Sequence, residues 1–192
     1  MKKVSLLIAA LAVACSARET TGTSDDPLIT RTIVHLNSDG SIASQQFVQM
    51  TESQAQKDLA RELAIRAGNI AVSPGGGSGV NAENSVLTDG TCASSSLHAW
   101  DHTDKSGHQL CIYADAMPAC ADLHNFCRGG CFFGNWSGNV KSYLTGNQPG
   151  GFYQSTTCGG TCSSGFNAGG ENHAPADSCT QSAQSVDFFV NP

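Results

Sequence analysis

Charge is scarce in this chain, and basic charge is scarcest. Lys and Arg together number 10 against 16 Asp and Glu, which leaves a net charge of −6. A nucleic-acid surface needs clustered cations to face phosphates, so DNA and RNA are excluded as partners. Long apolar runs are lacking too. Beyond the N-terminal stretch nothing approaches the roughly 18 residues of a membrane-spanning helix. Aromatics are missing from the first half: of 13 (8 Phe, 2 Trp, 3 Tyr), only Phe47 precedes residue 90. There is no H-E-x-x-H and no G-x-S-x-G, which removes the zinc-peptidase helix and the nucleophile elbow. The glycine run at 73–79 leads into Val80, Asn81 and Ala82 rather than Lys-Ser/Thr, so it is a linker and not a phosphate loop. No cofactor is expected.

Glycine (21) and cysteine (9) are what the chain has in quantity. Lys2 and Lys3 followed by apolar residues 4–13 form a signal sequence. It closes on Ala12, Val13, Ala14 and Cys15, which resembles a bacterial lipobox with Ala12 where Leu is usual. Cys15 is therefore the expected lipidation site; the alternative is a plain secretory signal. Ser16 carries no inner-membrane retention signal, so an outer-membrane or cell-surface lipoprotein is expected, or otherwise a periplasmic or secreted protein. The other eight cysteines, Cys92, Cys111, Cys120, Cys127, Cys131, Cys158, Cys162 and Cys179, form an even set suited to four disulfides in an oxidising compartment. Cys127, Cys131, Cys158 and Cys162 could instead make a four-thiolate zinc site, but export favours bridges. Cys111 needs a neighbour such as Cys92 or Cys120, and the remaining pairing stays open.

Five parts follow in order: a signal peptide (1–14), a polar tether (15–28), a ββα arm (29–68), a Gly/Ser linker (69–86) and a disulfide-rich module (87–192). In the arm, two β-branched runs flank a turn at Asp39-Gly40. Thr51 then caps a helix whose Ala55, Leu59 and Leu63 share a face, whose Glu62 and Arg66 pair, and which stops at Gly68. So few large apolar groups make the arm a spacer or a docking element rather than a core. In the module, short strands at 97–100, 109–113, 140–144, 151–154 and 186–190 alternate with polar turns, with a helical turn near 119–126. The fold class is mainly β.

Two segments carry a resemblance. Residues 100–107 (WDHTDKSG) are similar to the opening hairpin of a βγ-crystallin Greek-key motif, and residues 135–143 (NWSGNVKSY) resemble that family's tryptophan segment. The likeness implies a disulfide-rich Greek-key βγ-crystallin-like sandwich. It also implies a calcium segment, degraded here: Ser137 and Gly138 occupy the acidic or amide pair, Lys141 replaces a hydroxyl residue, and only Ser142 matches. Calcium wants several oxygen ligands, so no metal is expected. Secreted bacterial members of this fold include peptidase inhibitors. In that role the loop at 127–136 (CRGGCFFGNW) would face the protease, with Arg128 as the specificity residue.

The histidines form no catalytic spacing. His98, His102 and His108 lie around one hairpin with Asp101 and Asp104, while His124 and His173 stand apart; all read as turn or surface groups. A Cys–His nucleophile needs a thiolate that a fully bridged set lacks. Trp100 and Trp136 read as core aromatics, with carbohydrate binding the alternative. The expected function is non-enzymatic binding of a protein or glycan, or structural reinforcement, in the bacterial cell envelope. The alternatives are a secreted peptidase inhibitor and a hydrolase of unknown type. Intact-mass analysis of the mature protein checks the anchor: the expected result is an acylated Cys15 at the new N-terminus, and an unmodified Cys15 sinks the lipoprotein reading.

Overall fold

A computed structural model describes residues 26–67, 92, 95–114, 119–160, 162–170 and 172–189. The signal sequence, Cys15, most of the tether, Gly68 and the linker at 69–86 lie outside the described residues.

The described chain is mainly β. The strands are β1 Leu28–Leu36, β2 Ile42–Thr51, β3 Leu97–Trp100, β4 Gln109–Ala114, β5 Ala119–Asp122, β6 Ser142–Leu144, β7 Gly150–Tyr153, β8 Ser163–Phe166, β9 Asn172–His173 and β10 Ser185–Phe188. The helices are α1 Glu52–Arg66 and the one-turn α2 Ser178–Gln181. One sheet has the order β2-β1-β4-β3-β6-β9 and the other β5-β10-β7-β8.

The ββα segment departs from its expected role. It is not a separate arm: it supplies two of the six strands of the larger sheet. β1 pairs antiparallel with β2 on one side, Leu28 opposite Thr51, and parallel with β4 on the other, Arg31 opposite Gln109 through Leu36 opposite Ala114. Val34 and Leu36 are fully buried and join one core with Leu110, Ile112, Tyr143, Phe152, Val186 and Phe188 from the two facing sheets. The few apolar residues of this segment suffice because the module supplies the surface they pack on. Even the hairpin turn is seated: Gly40 has φ +80°, and a Cβ there would lie 1.8 Å from the Cys120 carbonyl oxygen of β5. Only glycine fits such a turn.

Alternation along each strand gives the larger sheet a second buried face, and α1 covers it. The helix begins at Thr51, whose hydroxyl accepts from the Gln54 amide at 3.3 Å. Leu59 packs with Trp100 and Leu144, while Leu63 stays 36% exposed and contributes less than its periodicity predicts. One ion pair ties the helix to the sheet, and a second, within the helix, aims an arginine at the chain beyond β6. Arg31, 1% exposed, reaches Asp58 at 3.1 Å and donates to Gln109 Oε1 at 2.6 Å. Arg66 meets Glu62 at 2.6 Å and donates to the Thr145 carbonyl, beside buried His98.

The eight cysteines from Cys92 onward form four disulfides: Cys92–Cys111, Cys120–Cys158, Cys127–Cys131 and Cys162–Cys179. The zinc alternative is thereby replaced, since Cys158 and Cys162 are bonded away from the Cys127 pair. Four bridges place the folded chain in an oxidising, extracytoplasmic compartment. Among the described residues no helix is long and apolar enough to cross a membrane. The strand expected at 140–144 shortens to Ser142–Leu144, because Val140 drops into the core and Lys141 donates its amide to the Trp100 carbonyl at 2.8 Å. The helical turn expected at 119–126 is reduced to Leu123–Asn125, because Ala119–Asp122 pairs with β10 as a strand. β8, β9 and α2 were not expected. Their Ser- and Gly-rich sequence has no strand signal, and the ladders of β8 to β7 and of β9 to β6, with the Cys162–Cys179 bridge, order them.

Removing one partner of a buried pair leaves a costly charge. Asp58→Ala should therefore lower stability by about 3 kcal/mol. Denaturant melts read this; a loss within the scatter of surface substitutions would show that Arg31 does not depend on Asp58.

Candidate functional site

The loop at 127–136 is the most distinctive surface of the protein. Its base is rigid. Phe126 and Trp136 are buried on either side, and the Trp136 amide donates to the Phe126 carbonyl at 3.0 Å. Cys127 bridges to Asn135, and its carbonyl accepts the Thr32 hydroxyl of β1 at 2.9 Å. Above that base the Cys127–Cys131 bond closes a ring with a sequence separation of 4. Gly129, Gly130 and Cys131 all take positive φ, at 58°, 68° and 71°, and Gly134 follows at 88°. Glycine adopts this region without steric cost, which is why the run is so glycine-rich. At Gly129 a Cβ would lie 2.2 Å from the Phe133 ring, so that ring rests on the bare backbone.

Arg128 lies elsewhere than a protease-facing residue would. Its guanidinium folds back, Nε and Nη2 donating to the Phe133 carbonyl at 3.2 and 2.7 Å and Nη1 to Asp101 at 3.1 Å. Arg128 therefore clamps the loop, with the Asp101 carboxylate only 6% exposed beneath it. The residues presented to solvent are Phe132, 92% exposed, and Phe133, 60% exposed. The Phe133 ring leans on His108 with centroids 5.0 Å apart, and His108 Nδ1 accepts the Thr30 amide at 3.0 Å. That bond fixes the tautomer, leaving Nε2 as the protonated nitrogen of the neutral ring. The two phenylalanines belong to no motif in the sequence. Their signal was their adjacency between glycines: neighbouring aromatics in a tight turn cannot both enter one core.

The segment at 137–142, where the resemblance implies a degraded calcium motif, lies beside a shallow depression of about 490 Å³ lined by Asp101, His102, Thr103, Asp104, Lys141 and Gln181. Lys141 fills its wall. Its ammonium donates to the Gly138 and Gln181 carbonyls at 2.9 and 3.2 Å, so a tethered cation binds oxygens that a metal would need. Ser142 is buried, donating to the His102 carbonyl at 2.7 Å and accepting the Lys105 amide. The Ser137 amide donates to Asn135 Oδ1 at 3.1 Å. The Ser106 hydroxyl holds the Asp104 carboxyl below the usual carboxylate range, while burial pulls the Lys105 ammonium down. Among the described residues no group of three or more His, Cys, Asp and Glu side chains could hold a metal.

The histidines do not converge. His98 is buried under α1, 3.9 Å from Glu62; His102 bonds Ser106, His124 bonds Asp122, and His173 stacks on Tyr143. Trp100 and Trp136 are both buried, so neither offers a face to a sugar. Comparison with protein-family models, with curated proteins and with solved structures found no match.

The Lys141 crosslink carries the prediction here. Lys141→Ala frees two carbonyls of a charged donor and should cost about 1–2 kcal/mol. Added calcium should leave the wild-type melting temperature unchanged. A calcium-dependent rise would show that the ammonium yields its site to the metal.

Proposed function

We propose that the chain is a non-enzymatic binding protein of the bacterial cell envelope, and that its contact element is the bridged loop carrying Phe132 and Phe133. The observation that carries this reading is the exposure of Phe132 on a loop that cannot relax. A disulfide, a guanidinium clamp and a buried aromatic base hold it, so the ring cannot turn inward. Preorganised aromatic anchors bind well because little freedom is lost on contact. The ligand suited to them is a protein with an apolar pocket. A glycan ligand would use the polar rim. Attachment through a lipidated Cys15 would hold this surface at the outer membrane. The local likeness of residues 100–107 and 135–143 to βγ-crystallin motifs supports a compact scaffold role rather than a reaction. A Cys-nucleophile hydrolase finds little support, because the cysteines of the module are bonded.

The second reading, a secreted peptidase inhibitor, has one observation in its favour: a convex braced loop with a single dominant side chain. That side chain is Phe132, so the enzyme suited to it prefers large aromatics, not basic residues.

The two readings separate in one set of assays. Envelope crosslinking with wild type and Phe132→Ala, folding checked by circular dichroism, should recover a partner only with the former. The expected weakening is about 30-fold in dissociation constant. Slowed cleavage by an aromatic-specific serine peptidase, lost in Phe132→Ala, would select the inhibitor. Equal recovery by both proteins removes the loop from the function.

A further inference from the structure

The two sheets have four edges, and three of them are short. β9 is 2 residues long, and β5 and β8 are 4 each. The fourth is β2, with 10 residues, IASQQFVQMT. Natural edge strands are kept from pairing with other chains by brevity, charge, proline or a covering element. Among the described residues β2 has none of these. It contains no charged residue and no proline, five of its positions are exposed, and among the described residues its ladder runs to β1 alone. Such a strand leaves alternate amides and carbonyls directed outward along roughly 33 Å of edge.

We infer that this edge pairs with the same edge of a second copy of the chain, antiparallel about a two-fold axis at Phe47. The sequence of the strand selects a second copy over a foreign strand. Antiparallel self-pairing about residue 47 sets position 47 opposite itself and position 45 opposite 49. Gln45, Phe47 and Gln49 read the same in both directions on one face. The exposed Phe47 rings, 44% accessible, would cover one another, and each Gln45 would face the second copy's Gln49. The Gln45 Nε2 is buried without a hydrogen-bond partner in the single copy. A charged strand would repel itself in this arrangement; an uncharged one does not. The interface is isologous, so it closes at two copies and leaves no further long edge.

The pairing stands on the sheet alone and does not rest on the reading of the loop. It does affect the loop's display. Phe47 lies opposite Thr32, and Thr32 holds the Cys127 carbonyl. The two bridged loops would therefore stand on one face beside the axis.

Sedimentation of the oxidised chain tests this. Wild type should sediment at twice the mass of one copy in the micromolar range. Phe47→Lys and Phe47→Glu, each alone, should weaken the dimer by about tenfold or more through like charges at the axis. An equimolar mixture of the two should restore it, because Lys then faces Glu. Circular dichroism confirms that each variant keeps its sheet. A monomeric wild type overturns the proposal, as does a dimer that Phe47→Lys leaves intact. Failure of the mixture to reassociate overturns the assigned axis.

Discussion

The parallel ladder between β1 and β4 is the contact on which the rest of the fold depends. It joins a hairpin from the first third of the chain to one side of the larger sheet, with β2 as the edge. β1 then needs apolar or neutralised side chains on both faces, and it has them. Val34 and Leu36 enter the inter-sheet core, while Ile33 and Arg31 lie on the face that α1 covers. Without this ladder α1 would have no sheet to cover, and Trp100 and Leu144 would lose the Leu59 side chain that packs on them. A buried guanidinium is tolerated there because groups such as Asp58 and Gln109 meet it.

The disulfides work at a different scale. Cys92–Cys111 and Cys120–Cys158 anchor strands of the two sheets, and Cys162–Cys179 ties β8 to α2, a region with little apolar surface. Their contribution is in part a restriction of the unfolded chain. Cys127–Cys131 spans too short a segment to matter greatly in that way. Its effect is local, forcing the backbone through three successive left-handed residues. The protein thus has a stiff scaffold and one stiff projection. The charge pattern fits this division: Arg128 and Lys141, few though cations are, both act as internal clamps rather than as surface charge.

Several elements are legible in the sequence. Asp39-Gly40 marks its hairpin, Thr51 its helix cap, and the short apolar runs between turns at 97–100 and 109–113 their strands, because each depends on neighbours within a few residues. The even cysteine set implied bridges, since chemistry and compartment decide that. The candidate site was legible only as a segment. Residues 127–136 stood out as a braced loop, yet Arg128 was assigned the outward role. A long basic side chain in a polar loop is ordinarily solvated, and nothing nearby in sequence shows that Asp101 lies within reach.

By itself the sequence determined a mainly β, disulfide-bonded, extracytoplasmic protein with a helix capped at Thr51, because these follow from local pattern, cysteine parity and the scarcity of cations. Only the tertiary structure decided that the ββα segment belongs to the sheet, that Cys111 bonds Cys92, that Lys141 is tied to the Gly138 and Gln181 carbonyls, and that Phe132 rather than Arg128 meets the solvent. Each of those depends on contacts between residues far apart in the chain, where parallel pairing and side-chain reach leave no periodic mark.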